Sequence, residues 1–89
     1  MTLRQSEIEA AIKRKVMDIA LTLGSDASDL QADEIIPATG YIDSAGLLEL
    51  IAWFEQAYAL KIPADELTID NLGTMTAMAQ YLLRRKGLA

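Results

Sequence analysis

The stretch Asp43-Ser44-Ala45-Gly46-Leu47-Leu48-Glu49-Leu50-Ile51-Ala52-Trp53-Phe54-Glu55-Gln56-Ala57-Tyr58 decides how this 89-residue chain is read. Leu47, Ile51, Phe54 and Tyr58, with Leu50 beside them, recur at helical spacing and fall on one face. Glu49 and Gln56 fall opposite, Leu48 and Glu55 on one flank and Trp53 on the other. The spacing predicts an amphipathic helix from Ser44 to Tyr58. Asp43 can cap that helix, which leaves the Ser44 hydroxyl directed outward at its positive end, where backbone N–H groups favour a negatively charged substituent such as a phosphodiester. Gly46 in the first turn costs about 1 kcal/mol of helix propensity relative to alanine. It reads either as a point of close approach or as a tolerated imperfection.

Upstream, Ser6-Glu7-Ile8-Glu9 has the pattern of a capping box. Ile8, Ile12, Val16, Ile19 and Leu23 then lay one apolar stripe along a first helix, and Gly24 stops it. Lys13, Arg14 and Lys15 lie mostly off the stripe and read as a solvated face. From Ser25 to Ile42 the helical period is lost among Ser, Asp, Thr, Pro37 and Gly40, which predicts a long loop pinned by Leu30, Ile35, Ile36 and Tyr41, with room for a short helical turn at Ala27–Gln31.

Downstream, Ile62-Pro63 breaks the chain, and Thr68 caps one short turn that Gly73 ends. Thr74 caps a last helix with Met75, Met78 or Ala79, Leu82 and Leu83 inward, finishing in Arg84-Arg85-Lys86, where cations suit a helix C-terminus. No period-two stretch is long enough for a sheet. The expected fold is all-α, a four-helix bundle of three main helices plus one short helix, with a long loop between helices one and two, in a single domain over residues 1–89.

Composition narrows the chemistry. There is no cysteine and no histidine, so thiolate nucleophiles, Ser-His-Asp triads and thiolate or imidazole metal sites are excluded. Asp26, Asp29, Asp33 and Glu34 lack the glycine-centred spacing of a calcium loop, so no metal is expected. A chain of this size buries only about 60–65% of its unfolded surface, which leaves little for a deep catalytic cleft. Asp43, Glu49 and Glu55 are read as lying on an open helical surface, so no catalysis is expected of them. Net charge is −5, but residues 26–70 carry ten carboxylates against Lys61 alone, a local net charge of −9. That middle repels phosphate backbones and attracts basic protein surfaces, so a protein partner is expected and nucleic acid is not. No apolar run approaches the ~20 residues of a membrane span, and the N-terminus has no leader pattern. A cytoplasmic monomer without membrane contact is the expectation.

With these residues in place, the chain resembles a known family. Gly40-Tyr41-Ile42-Asp43-Ser44 followed by Leu47-Leu48-Glu49-Leu50-Ile51 is similar to the prosthetic-group site of acyl and peptidyl carrier proteins. The likeness continues through Phe54-Glu55, Ile62-Pro63, Leu67-Thr68, Asn71-Leu72, Thr74-Met75, Ala77 and Tyr81-Leu82, and no single piece carries it. The resemblance implies a 4′-phosphopantetheine transferred from coenzyme A to the Ser44 hydroxyl by a phosphopantetheinyl transferase, with cargo held as a thioester. A chain without cysteine would thereby import its thiol. It also implies partner docking through basic patches onto Asp43, Ala45, Leu48, Glu49, Ala52 and Glu55, with Ile62 as a secondary contact.

Two departures bear on which partners bind. Ala45 stands where the family usually has Leu or Met, and Gly46 stands where an acidic or polar residue is common, so one recognition charge is missing. Glycine there resembles D-alanyl carrier proteins. The cargo stays open between a fatty or specialised acyl group and an amino acid, carried between the bundle helices or outside them. A free-standing carrier loaded by a dedicated acyl or aminoacyl ligase, and serving downstream transferases, is favoured over the general carrier of fatty acid biosynthesis. The alternatives from the residues alone are an unmodified helical adaptor in which Ser44 is only a cap, and an interaction module docking through Trp53, Leu48 and the acidic face.

Overall fold

The computed structural model describes residues 3–88. Its elements are α1 (Gln5–Thr22), α2 (Ile36–Thr39), α3 (Ser44–Ala57), a 3-10 turn (Ala64–Glu66), α4 (Ile69–Leu72) and α5 (Met75–Arg85), with no strand among the described residues. The all-helical expectation holds, with one short helix more than the sequence predicts.

Ile8, Ile12, Val16 and Ile19 of α1 are buried, as their spacing requires, together with Ala20. The capping box does not form. The helix starts at Gln5 behind Arg4, which makes no side-chain cap, and Gln5 Nε2 donates to Glu9 Oε2 at 2.9 Å across one turn, so Glu9 is not the partner of Ser6. Leu23 also leaves the stripe: it is the C-terminal cap, 47% exposed. Beyond it Gly24 takes φ +81°, and the Gly24 and Ser25 N–H groups donate to the Leu21 and Ala20 carbonyls, which is how a helix end satisfies its spare oxygens.

The segment from 25 to 42 is less loose than its composition predicts. Ala27 and Leu30 are buried under a turn closed by Leu30 N–H on the Ala27 carbonyl. Pro37 lies in the first turn of α2, where a helix has N–H groups to spare. Ile36 is fully buried, and its N–H donates to the Gly73 carbonyl at 2.8 Å, tying this segment to the start of α5. Ile35 does not pin the loop, being 44% exposed, whereas half-buried Tyr41 does pack against the core.

Helix α3 is rolled relative to its apolar pattern. The residues fully inside are Gly46, Leu50 and Phe54, while Leu47, Ile51 and Tyr58 flank this line half-buried and Trp53 lies half-buried as well. The cause is α1. A Cβ on Gly46 would lie 2.9 Å from Ile19 Cγ2 and 3.1 Å from Ile42 Cβ, so the two helices touch where α3 has no side chain. Gly46 is a point of close approach, and a charge at that position would be turned into the bundle.

At the other end of α3, Ala59 adopts φ +50° and Leu60 N–H donates to the Glu55 carbonyl. Leu60 and Ile62 turn inward. Thr68 Oγ1 accepts from Asn71 N–H at 3.2 Å and Thr74 Oγ1 from Ala77 N–H at 2.9 Å, so both sequence-predicted caps form. Helix α5 buries Met75, Met78, Ala79, Tyr81 and Leu82 against α1 and α4 and leaves Leu83 half-buried.

Candidate functional site

Ser44 occupies the first position of α3 and is exposed. Two neighbours hold it there. Ile42, 6% exposed, anchors the incoming chain in the core, and Asp43, in extended conformation, accepts from Gly46 N–H through Oδ1 at 2.7 Å. Capping thus falls to Asp43, and the Ser44 hydroxyl has no hydrogen-bond partner in the protein among the described residues. The backbone N–H groups of Ser44 and Ala45 likewise meet no protein acceptor there. A nucleophilic hydroxyl beside unpaired N–H groups at the positive end of a fourteen-residue helix suits an oxygen-linked phosphate.

Room is available beside it. A space of about 240 Å³ lined by Pro37, Ile42, Asp43, Ser44 and Leu47 opens next to the hydroxyl. A second hollow of about 110 Å³ shares Pro37 and Leu47 with it and is walled further by Ile51, Leu67, Thr68, Ile69, Leu72 and Gly73. The two make a neighbouring pair of hollows, a broken groove, beside α3. The residues present therefore fit a phosphate-linked arm: an exposed attachment atom, spare donors and an adjoining apolar track.

The acidic face is more divided than the sequence implies. Asp43, Ala45, Leu48, Glu49 and Ala52 are all exposed on or beside the outer face of α3, Leu48 at 68%. Glu49 has Lys15 Nζ at 3.3 Å, so one of the supposedly free cations of α1 bridges to it. Glu55 and Ile62 are elsewhere employed. Glu55 is half-buried and accepts from Ile62 N–H through Oε2 at 2.8 Å, and Ile62 is 6% exposed, so this pair holds the chain reversal after α3 in place from within. Nothing in local spacing marks a glutamate for a backbone group seven residues on.

The linker after α3 is held to α5 by a side-chain network. Tyr81 Oη donates to Glu66 Oε1, Arg85 Nη1 donates to Tyr81 Oη at 2.6 Å, and Arg85 Nη2 donates to the Lys61 carbonyl at 3.0 Å. Burial, with the Glu66 bond adding to it, pushes the Tyr81 phenol above its ordinary 10.0, and Arg85 opposes the shift. Burial likewise raises Tyr58 against the nearby Arg14 charge. The groove residues Pro37, Leu67 and Ile69 were not legible as a site, because they come from three separated segments.

Comparison with known proteins bears directly on this geometry. A family model described as the phosphopantetheine attachment site matches residues 16–82. D-alanyl carrier proteins from three serotypes of Streptococcus pyogenes are each 33% identical over 55 residues, 62% of this chain and 68% of theirs. No solved structure matches to significance. Among the described residues no helix is long and apolar enough to cross a membrane.

Proposed function

Since the chain belongs to the phosphopantetheine attachment-site family, whose members are non-catalytic carriers bearing a covalent 4′-phosphopantetheine, we propose that Ser44 is the attachment residue and that residues 1–89 act as one carrier domain. The observation that carries this reading is the division of labour at the start of α3: Asp43 caps, Ser44 stays bare, and Gly46 seats the turn against α1. When bound, the arm supplies the thiol that this chain lacks, and on it cargo rides as a thioester.

The chain's own residues would do the following. The Ser44 hydroxyl takes the phosphopantetheinyl group from coenzyme A, its oxygen forming the new bond to phosphorus as the adenine-nucleotide half leaves and the hydroxyl proton passes to the transferase. The unpaired N–H groups of Ser44 and Ala45 would be the donors nearest the resulting phosphodiester, and the hollows along Leu47 and Ile51 would offer the arm an apolar surface. Exposed Asp43, Leu48 and Glu49 meet the transferase, the loading ligase and downstream transferases, which would present basic patches.

For cargo, an aminoacyl group carried outside the bundle is the reading with most support. The relatives named above are D-alanyl carriers, and glycine at position 46 follows from helix packing here. Phe54, Met78, Leu82 and Tyr81 fill the interior, and the groove beside Ser44 is shallow and open. The reading places the protein in the cytoplasm as a monomer, where coenzyme A and its ligase are at hand. Intact-mass measurement after incubation with coenzyme A, magnesium and a broad-specificity phosphopantetheinyl transferase tests it: wild type should gain one phosphopantetheine and Ser44→Ala none. No gain under conditions that modify a control carrier would leave Ser44 a surface serine in an unmodified adaptor.

A further inference from the structure

Between two buried anchors, Ile62 and Leu72, the chain runs through residues 63–71 without burying one of them. Of α4 only Leu72 is buried, so the rest of that short helix adds nothing to the core. The backbone bonds of the segment are local: the N–H groups of Glu66, Leu67 and Thr68 donate to the carbonyls of Pro63, Ala64 and Glu66, and Asn71 donates to Thr68 Oγ1 and to the Glu66 carbonyl. Among the described residues, one side chain of the segment makes a hydrogen bond or ion pair to a distant part of the chain. That side chain is Glu66, whose Oε1 accepts from Tyr81 Oη and lies 3.7 Å from Arg85 Nη1. The same segment supplies Leu67, Thr68 and Ile69 to the hollow of about 110 Å³ that Leu47 and Ile51 of α3 also line.

We propose that residues 63–71 form a strap, hinged at Ile62 and Leu72 and latched to α5 by Glu66, whose opening uncovers Leu47 and Ile51 while the bundle stays folded. The energetic case rests on what opening gives up. Leu67 and Ile69 are already 45% and 59% exposed, so the strap transfers little further apolar area to water when it lifts. The latch bonds therefore decide the balance. They are within reach of water: the Glu66 and Arg85 side chains are 41% and 35% exposed, and a space of about 340 Å³ is lined by Glu66 and Arg85 with Asn71, Tyr81 and Arg84. Bonds that water can replace give way locally, whereas core contacts such as those of Ile12 and Phe54 give way only when the whole bundle unfolds. Glu66 does not itself line the hollow, so it is a positioning residue that acts through Leu67 beside it in the chain. Because the hollow shares Pro37 and Leu47 with the space next to Ser44, the strap governs apolar surface adjoining the proposed attachment residue. The latch goes beyond the carrier reading and does not depend on it.

The chain has no cysteine, so Ile51→Cys places a single thiol in the hollow, and its rate of reaction with N-ethylmaleimide on the full, unmodified chain reads the opening. That parent is compared with the same chain carrying a second substitution. Glu66→Ala removes the latch, and Glu66→Gln keeps an acceptor for Tyr81 but loses the ion pair with Arg85. Ile12→Val trims the buried face of α1 and lowers global stability without touching the strap. Helical circular dichroism shows that each variant is folded. Glu66→Ala should raise the rate about fivefold, the fold-change of one hydrogen bond of ordinary strength. Glu66→Gln should raise it about twofold, as befits a partly exposed ion pair. Ile12→Val should stay within about 1.5-fold of the parent, because a local opening does not draw on the core of α1. No acceleration in Glu66→Ala would overturn the proposal. So would an acceleration in Ile12→Val as large as that in Glu66→Ala, since the hollow would then be uncovered only by unfolding of the whole bundle. Neither result bears on Ser44, whose modification is read separately by intact mass, so failure of the latch and failure of the carrier reading are distinguishable.

Discussion

The two ends of α3 are built by opposite means. At the N-terminus one aspartate caps, one glycine lets α1 close in, and the serine between them makes no side-chain hydrogen bond among the described residues. At the C-terminus side chains are committed: Glu55 holds the Ile62 N–H, and nearby Glu66, Tyr81 and Arg85 tie the linker to α5. The difference separates the proposed attachment site from the groups that hold the fold. Groups left free at the first end are available to a partner, while those at the second are used in holding the chain. Substitutions at the two ends should therefore fail in different assays.

Gly46→Val is the strongest way to break this division, because it attacks stability at the end assigned to function. Its Cβ would press on Ile19 and Ile42, neither of which is the mobile tip of a long side chain, so the start of α3 must shift. A loss of about 2 to 3 kcal/mol is expected in urea unfolding. A variant as stable as wild type would show that the helices can part there freely.

Tyr81→Phe probes the committed end. It leaves Glu66 and Arg85 without their shared hydroxyl and should cost about 1 kcal/mol. The pH dependence sharpens the point. The folded state raises the Tyr81 pKa, chiefly by burial, so it binds that proton more tightly than the unfolded chain does. The contribution is whole below the ordinary value of 10.0 and is lost as pH rises through the higher folded value. Unfolding curves from pH 8 to 11 should show wild type losing stability at the alkaline end more steeply than Tyr81→Phe. Parallel curves would remove the phenol from the account.

Ala59→Gly should act in the other direction. Ala59 occupies the left-handed position that Gly24 occupies after α1, with the same pair of backbone bonds closing the helix. Relief of that conformation should raise stability by about 0.5 to 1 kcal/mol, net of the added freedom of the unfolded chain. Glu49→Lys should have the smallest effect on folding, under about 0.5 kcal/mol, because the Glu49 side chain of its pair with Lys15 is 60% exposed. It should nonetheless slow modification of Ser44 and flatten its dependence on ionic strength, whereas a change in stability with no change in modification would place Glu49 among the committed groups.

The same contrast explains what could be read from the sequence. Asp43, Thr68 and Thr74 were legible as caps because a cap is a bond to a residue three positions on, decided within one turn. The exposed serine followed directly from the Asp43 cap. Ser6 misled because the helix starts two residues earlier than its box pattern implies, at Gln5 behind Arg4, with Glu9 taken by Gln5. The roll of α3 could not be read, since the apolar pattern gives Leu47 and Ile51 the same weight as Leu50, and only the contact with Ile19 decides among them. Glu55 and Ile62 looked like surface for the same reason: their bond spans a chain reversal that periodicity does not encode. Pro37 read as part of the long loop because a proline suits a loop and the first turn of a helix alike, and here it lies in the first turn of α2.

The central claim is that the hydroxyl left free by the Asp43 cap is the one that is modified. The chain has four serines, Ser6, Ser25, Ser28 and Ser44, of which Ser25 and Ser28 lie outside regular helix. Peptide mapping of the transferase-treated protein by fragmentation mass spectrometry distinguishes them. The account predicts phosphopantetheine on Ser44 alone, in a fragment that retains Asp43 and Ala45. The arm on Ser25 or Ser28, or spread over several serines, would contradict it.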